Sequence, residues 1–222
     1  MNLITSPTRI DCGSFVLRRW NIDDKQALIR NANNRNVSRN LRDLFPYPYT
    51  DRDAERWLAH ADADRGVPWL YAIEVDGEAA GGISLETKAD VECHSAELGY
   101  WLGEPFWGRG VTTAAVRAIT GHAFLESEIY RIFAYVFARN TASMRVLEKA
   151  GYQREGVLRR GIVKDGVLMD LVMYAMTRDP GLPYVSAPLH SLTDAERGKD
   201  LGKDVVGQSL SSQLPQGGER TS

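Results

Sequence analysis

The stretch Gly103-Glu104-Pro105-Phe106-Trp107-Gly108-Arg109-Gly110-Val111-Thr112-Thr113 has the makings of an anion-binding turn. Strand-like alternation ends just before it and helical spacing begins just after it. A helix start leaves backbone N–H groups without partners and carries the positive end of the helix dipole, and glycines let a phosphate come close to the main chain. Gly108, Arg109, Gly110, Val111, Thr112 and Thr113 are therefore the candidate cradle. The plain alternative is a glycine turn that only reverses the chain. Two other phosphate motifs fail on a defining residue. A Rossmann turn needs a third glycine where Thr113 stands, and a Walker loop needs Lys-Ser/Thr where Arg109 and Gly110 stand.

This turn resembles the cofactor loop of the GNAT superfamily of N-acetyltransferases, Arg/Gln-x-x-Gly-x-Gly/Ala directly after a strand. Gly110 takes the invariant glycine's place, Trp107 stands at the Arg/Gln position and Thr112 at the final small one. A grip by backbone amides is expected, since those amides do not depend on the replaced side chains. Downstream, Asn140-Thr141-Ala142-Ser143-Met144-Arg145-Val146-Leu147-Glu148-Lys149-Ala150-Gly151-Tyr152 is similar to the family's second cofactor segment, Asn-x-x-Ser and a helix ending Glu-Lys-x-Gly-Phe/Tyr. Leu17-Arg18-Arg19-Trp20, Pro48-Tyr49-Thr50, Leu98-Gly99-Tyr100-Trp101-Leu102 and residues 159–170 resemble the ribosomal-protein-alanine acetyltransferase (RimJ/RimL) branch. The resemblance covers roughly residues 10–178. It implies an α/β (α+β) GNAT fold, a strongly twisted mixed sheet of six or seven strands flanked by helices, with central strands that splay after residues 96–102. It also implies acetyl-CoA as co-substrate, with backbone groups of Tyr100 and Leu102 bonding its pantetheine arm as a neighbouring strand would. The side chains of Tyr100 and Trp101 read as core packing.

Acetyl transfer to an amine requires a neutral nucleophile, a stabilised oxyanion and a proton for the departing thiolate. Glu97, on the strand beside the splay, is the candidate base, directly or through water; its other reading is a structural ion pair. The tyrosine that serves many family members as acid is replaced by Leu147. Ser143 matches a serine proposed as acid in the RimJ/RimL branch, and it reads equally as a pantetheine ligand or as part of a helix start. Asn140 either caps that helix or bonds the cofactor. A late glutamate proposed as base in the branch aligns with Ile162, so that role does not transfer. The aromatic run Phe45, Pro46, Tyr47, Pro48, Tyr49 reads as a wall of the acceptor site or as a lid on the core. His60, His94, His122 and His190 have no metal-site spacing, so no metal is expected. The resulting expectation is an N-acetyltransferase acting by direct attack on a protein N-terminal α-amine or a small-molecule amine, as monomer or homodimer. The alternatives are an inactive acetyl-CoA sensor or scaffold and, less specifically, another class of nucleotide-phosphate site.

The rest of the chain must position these groups. Its 222 residues and 43% hydrophobic content suit one domain able to bury a core. Lys and Arg number 27 against 29 Asp and Glu, which gives no broad positive field for nucleic acid or an anionic membrane. Two cysteines far apart, with no targeting, lipidation or membrane-spanning pattern, suggest a cytoplasmic protein. Strands are expected at residues 15–19, 69–75, 79–85, 96–102, 131–138, 157–163 and 167–176. Helices are expected at 23–33, 36–44, from 50 to about 61, after the glycine turn, and at 142–150. Asp76-Gly77 predicts a tight hairpin. Residues 1–178 form the acetyltransferase domain in this reading. Residues 179–222, rich in Gly, Ser, Gln and charge, form a flexible tail with a capping-box pattern for a short helix at 193–201.

Overall fold

The computed structural model describes residues 6–61, 68–179 and 181. The C-terminal tail, with His190 and the expected helix at 193–201, lies outside the described residues apart from Asp179 and Gly181. Eight strands form one sheet in the order β1-β2-β3-β4-β5-β6-β8-β7. They are β1 Arg9–Asp11, β2 Val16–Arg18, β3 Leu70–Val75, β4 Glu78–Thr87, β5 Ser95–Leu102, β6 Arg131–Phe137, β7 Gln153–Lys164 and β8 Val167–Thr177. The sequence led to six or seven. The strand it did not announce is β1, three residues at the edge with only Ile10 buried, too short for alternation to show.

Every neighbouring pair is antiparallel except β5 with β6, which run parallel. A parallel pair needs a crossover. Here it is α4, Val111–Glu126, which buries Ala115, Val116, Ile119, Ala123 and Phe124. Helix α5, Thr141–Ala150, packs beside α4 on the same face through Val146, Leu147 and Ala150. The opposite face is covered by α1 (Lys25–Ala32), α2 (Arg35–Ser38) and α3 (Asp51–Ala61), with Trp20, Leu28, Trp57 and Leu58 packed against Trp101 and Ala72. Each fully buried Leu or Ile in such a layer contributes about 1.5–3 kcal/mol. The central β6 buries Ile132, Ala134 and Val136 in the core beneath α4 and α5, and Phe133 and Phe137 on its other side are buried as well, as its unbroken hydrophobic run requires.

Local signals explain most boundaries. Thr50 and Asp53 make the reciprocal box that opens α3: Asp53 N–H donates to Thr50 Oγ1 (3.3 Å) and Thr50 N–H to Asp53 Oδ2 (2.9 Å). Asp76 and Gly77, at φ 52° and 84°, turn β3 into β4. The expected helix at 36–44 is a correction: only Arg35–Ser38 is helical. Asn36, Arg39, Asn40, Arg42 and Asp43 leave Val37 and Leu41 as the buried apolar side chains of this segment, and Asn34 Oδ1 takes the Asn36 N–H in a cap that starts one short turn. The chain from 39 to 49 instead forms a loop laid over β5, where Phe45 meets the Trp101 ring at 5.4 Å. Among the described residues, no helix is long and apolar enough to cross a membrane.

Candidate active site

Gly108 and Gly110 adopt φ of 78° and 74°, the left-handed region that side chains disfavour. Gly110 is the N-cap of α4 and, as a glycine, offers no side chain to cap it. The first intrahelical bond runs from Ala114 N–H to Gly110 O (3.1 Å), so the amides of Val111, Thr112 and Thr113 are the first-turn donors of the helix. A Cβ built on either glycine would touch nothing within 4 Å, so the turn faces open space. Thr112 Oγ1, in the first turn of α4, is buried and has no hydrogen-bond partner among the described residues. Arg109 leans away, over the Phe106 ring and 3.1 Å from Asp76 across the neighbouring hairpin. The donors, the glycine geometry and the orphaned hydroxyl fit an anionic ligand such as a pyrophosphate.

The sheet splits next to this turn. β5 and β6 pair only at Ser95↔Arg131, Ala96↔Ile132 and Glu97↔Phe133, although both strands continue. Two bonds fix which way the backbone of β5 faces: Lys88 N–H donates to Ser95 O (2.9 Å) and Gly103 N–H to Ala80 O (2.8 Å). With an unbroken register between them, the odd-numbered residues of β5 bond to β4 and the even-numbered ones turn the other way. Tyr100 and Leu102 therefore present N–H and C=O to the split. The indole of Trp107 donates to the Leu102 carbonyl (2.7 Å), which ties the glycine turn to the end of that strand edge. Trp107 thus serves the site by anchoring the turn.

Glu97 stands at the last paired position, where the split begins, on the same side of β5 as Trp101. It is buried, 8% exposed, and ion-paired: Lys88 Nζ donates to Oε2 (2.9 Å) and an Arg42 nitrogen lies 3.7 Å from Oε1. Glu86, directly opposite on β4, shares Lys88 at 3.7 Å. Burial pushes the Glu86 carboxyl above its ordinary range; Lys88 opposes the rise and Glu97 adds to it. Burial works against the Lys88 ammonium, yet its bond to Glu97 and the two carboxylates outweigh that and hold it above the usual lysine range.

Ser143 lies on the other side of β5, fully buried, with its Oγ 2.8 Å from the Tyr100 hydroxyl. Tyr100 also donates toward the Ser143 carbonyl at 3.3 Å. The Tyr100 side chain, expected to be core packing alone, therefore carries a polar tip that meets Ser143. Asn140 Oδ1 accepts from Ser143 N–H at 3.2 Å, the N-cap of α5. One of the two readings open for Asn140, the helix cap, is thus met in the fold. The structure thus gathers Tyr100, Asn140 and Ser143 on one side and Glu97 on the other, with the split between β5 and β6 as their common boundary.

A cavity of about 290 Å³ lies between α2, the 39–49 loop and the tip of the β7–β8 hairpin. Arg35, Ser38, Asp43, Phe45, Tyr47 and Lys164 line it.

Residues 14–153 match the acetyltransferase (GNAT) domain family. The chain belongs to this GNAT family. It is 42% identical over 82 residues to the probable N-acetyltransferase YjcK of Bacillus subtilis, covering 37% of this chain and 45% of that protein. It is 29% identical over 92 residues to the ribosomal-protein-serine acetyltransferase of Escherichia coli, covering 41% and 51%. The matched segments thus span about half the length of these curated relatives. Among solved structures, Mycobacterium smegmatis RimJ in complex with CoA-disulfide is similar, with TM-score 0.65 and 27% identity over 78% of this chain and 86% of that one. The fold of this GNAT protein is the family's, with the split sheet and the glycine turn at the N-terminus of α4.

Sequence reasoning missed Lys88, Arg42, Lys164 and the Tyr100 hydroxyl. Lys88 had a readable signal, because a β4–β5 hairpin with Glu86 opposite Glu97 leaves the nearby lysine as the obvious counter-ion. Arg42 and Lys164 reach the site from a loop and a hairpin tip, whose placement no period in the sequence reports.

Proposed function

We propose that this protein moves an acetyl group from acetyl-CoA directly to a primary amine, either a protein N-terminal α-amine or the amine of a small molecule. The observation that carries the reading is the end of β5–β6 pairing at Glu97↔Phe133, with the backbone of Tyr100 and Leu102 aimed into the split beside the α4 entrance. The amides of residues 108–113 hold the pyrophosphate. Tyr100 and Leu102 bond the pantetheine arm as a strand would, which directs the thioester toward the start of the split. Glu97 receives the proton of the incoming ammonium, directly or through water. An α-amine of pKa about 8 is roughly 10% neutral at pH 7, whereas a lysine side chain is neutral in about one molecule in 2,500, so a carboxylate base suffices more readily for the former. Ser143, bonded to Tyr100 and Asn140, is the hydroxyl assigned in this reading to return a proton to the departing thiolate. The name of the ribosomal-protein-serine acetyltransferase relative supports a protein acceptor, and the RimJ neighbour's complex with CoA-disulfide supports the cofactor.

Thiol release from acetyl-CoA, followed across a panel of peptides and small amines with mass spectrometry of the products, tests this. Gain of one acetyl group on an N-terminal amine, with intersecting initial-rate plots, is expected. Parallel plots would indicate an acyl-enzyme and contradict direct attack. Tight CoA binding with no turnover on any amine would make the protein a sensor.

A further inference from the structure

A primary amine of the chain itself stands at the head of the split. Lys88 follows the end of β4, with its N–H on the Ser95 carbonyl (2.9 Å) and its Nζ donating to Glu97 Oε2 (2.9 Å). The same Nζ lies 5.6 Å from the centroid of the Phe133 ring. Glu97 and Phe133 are the last residues that β5 and β6 pair, and neighbours in register share one side of the sheet. The ammonium is therefore bonded to one strand and set over a ring of the other at the point where they part. Its side chain is 23% exposed, partly sheltered but not sealed in the core. Other charges surround it. Glu86 of β4 lies 3.7 Å from Nζ, Arg42 of the 39–49 loop lies 3.7 Å from the second Glu97 oxygen, and Arg131 of β6, over the Phe133 ring as well, is paired with Glu155.

We infer that the protein acetylates its own Lys88, with bound acetyl-CoA as donor. This rests on the acetyltransferase reading above, in which the pantetheine arm brings the thioester to the head of the split and Glu97 receives the proton of the attacking amine. Lys88 already makes that bond to Glu97. Its ammonium gives one proton to the carboxylate, the neutral nitrogen attacks the thioester carbonyl, and the C–S bond breaks as the C–N bond forms. Of the two protons the nitrogen sheds, one ends on the CoA thiol and one in solvent. The product is an uncharged acetyl-lysine, so Glu86 and Glu97, opposite each other in the β4–β5 register, lose the ammonium they share. The same carboxylates slow the reaction. They hold the ammonium above the usual lysine range, so less than about one molecule in 2,500 is neutral at pH 7, a fraction that grows about tenfold per pH unit.

Incubation of the full chain with acetyl-CoA and no other amine, from pH 7 to pH 9, followed by proteolysis and mass spectrometry of the peptide containing residue 88, tests this. One acetyl group on Lys88 is expected, with a first-order rate that does not depend on protein concentration and rises about tenfold per pH unit. Lys149, exposed on α5, reports plain solution chemistry, and Lys88 should outpace it about 10²-fold because its thioester is held beside it. Desulfo-CoA, which has no thioester to give, should suppress the modification of Lys88 and leave that of Lys149. Lys88 modified no faster than Lys149, or equally with desulfo-CoA present, overturns the inference. A rate that grows with protein concentration overturns it too, because one copy would then be acetylating another. Lys88 left unmodified by protein that acetylates peptide or small amines overturns the inference and leaves the activity standing. Lys88 modified by protein that accepts no added amine upholds the inference and rejects the external acceptor. Transfer to no amine at all, on protein that binds CoA, overturns both.

Discussion

Replacing Gly110 by Asp puts a carboxylate where the pyrophosphate is held to lie. Two effects separate cleanly. The first is conformational. Gly110 sits at φ 74°, where a side chain costs about 1–2 kcal/mol, less for Asp and Asn than for other residues. No atom lies within 4 Å of the added Cβ, so steric clash contributes nothing and the variant should fold. The second effect is electrostatic. A carboxylate about 5 Å from a phosphate charge, at an effective dielectric near 20, raises its energy by about 3 kcal/mol. That corresponds to a loss of roughly 100-fold in CoA affinity. Gly110→Asn carries the same backbone strain without the charge, so it should melt at nearly the same temperature as Gly110→Asp while losing less than about tenfold in affinity. Titration calorimetry with CoA on both folded variants, at low and high salt, measures the difference. Equal losses for Asp and Asn, or a ratio indifferent to salt, would refute the anion cradle at this turn.

Other perturbations probe the remaining groups. Glu97→Gln should cut turnover by about 10²-fold or more while leaving the Kd for CoA unchanged, as initial rates and calorimetry will show. Tyr100→Phe leaves the buried Ser143 hydroxyl without its partner and should destabilise the fold by about 1–3 kcal/mol, a melting shift of about 2–4 °C per kcal/mol for a chain of this size. Asn140→Ala removes the α5 cap and should cost about 1 kcal/mol in denaturant unfolding. Burial, aided by the Glu148 carboxylate that accepts its proton at 2.7 Å, pushes the Tyr174 phenol up to about 12. A phenol that holds its proton more tightly when folded stabilises the fold below its unfolded pKa of about 10, and that contribution disappears as pH rises toward 12. Tyr174→Phe should flatten the loss of stability across this window, as followed by circular dichroism.

The parts of this molecule written in local pattern were legible in the sequence. Asp76-Gly77, the Thr50–Asp53 box and the Gly108/Gly110 turn each act over a few residues, and each stands where its chemistry predicts. The split between β5 and β6 came from family resemblance, because pairing register is a long-range property that alternation does not encode. The first part of this loop, residues 39–44, reads as helix in the sequence because Val37 and Leu41 have helical spacing. Propensity could not weigh that spacing against the polar residues between them or against packing on Trp101. The same limit hid the charge around Glu97. Its partners Lys88 and Arg42 come from different segments, so they meet only once the sheet and loop are assembled. Tyr100 looked like core from its surroundings, and only the placement of α5 shows where its hydroxyl goes.

The central claim is that main-chain groups at the α4 entrance and along the edge of β5 that faces the split hold acetyl-CoA. Backbone amide NMR of the labelled protein during CoA titration tests it most directly. The expected result is saturable shifts and slowed hydrogen exchange at Gly108, Gly110, Val111, Thr112 and Thr113, together with Tyr100 and Leu102, while the outer edge of β7 stays unchanged. Saturable CoA binding that leaves these amides undisturbed would contradict the account.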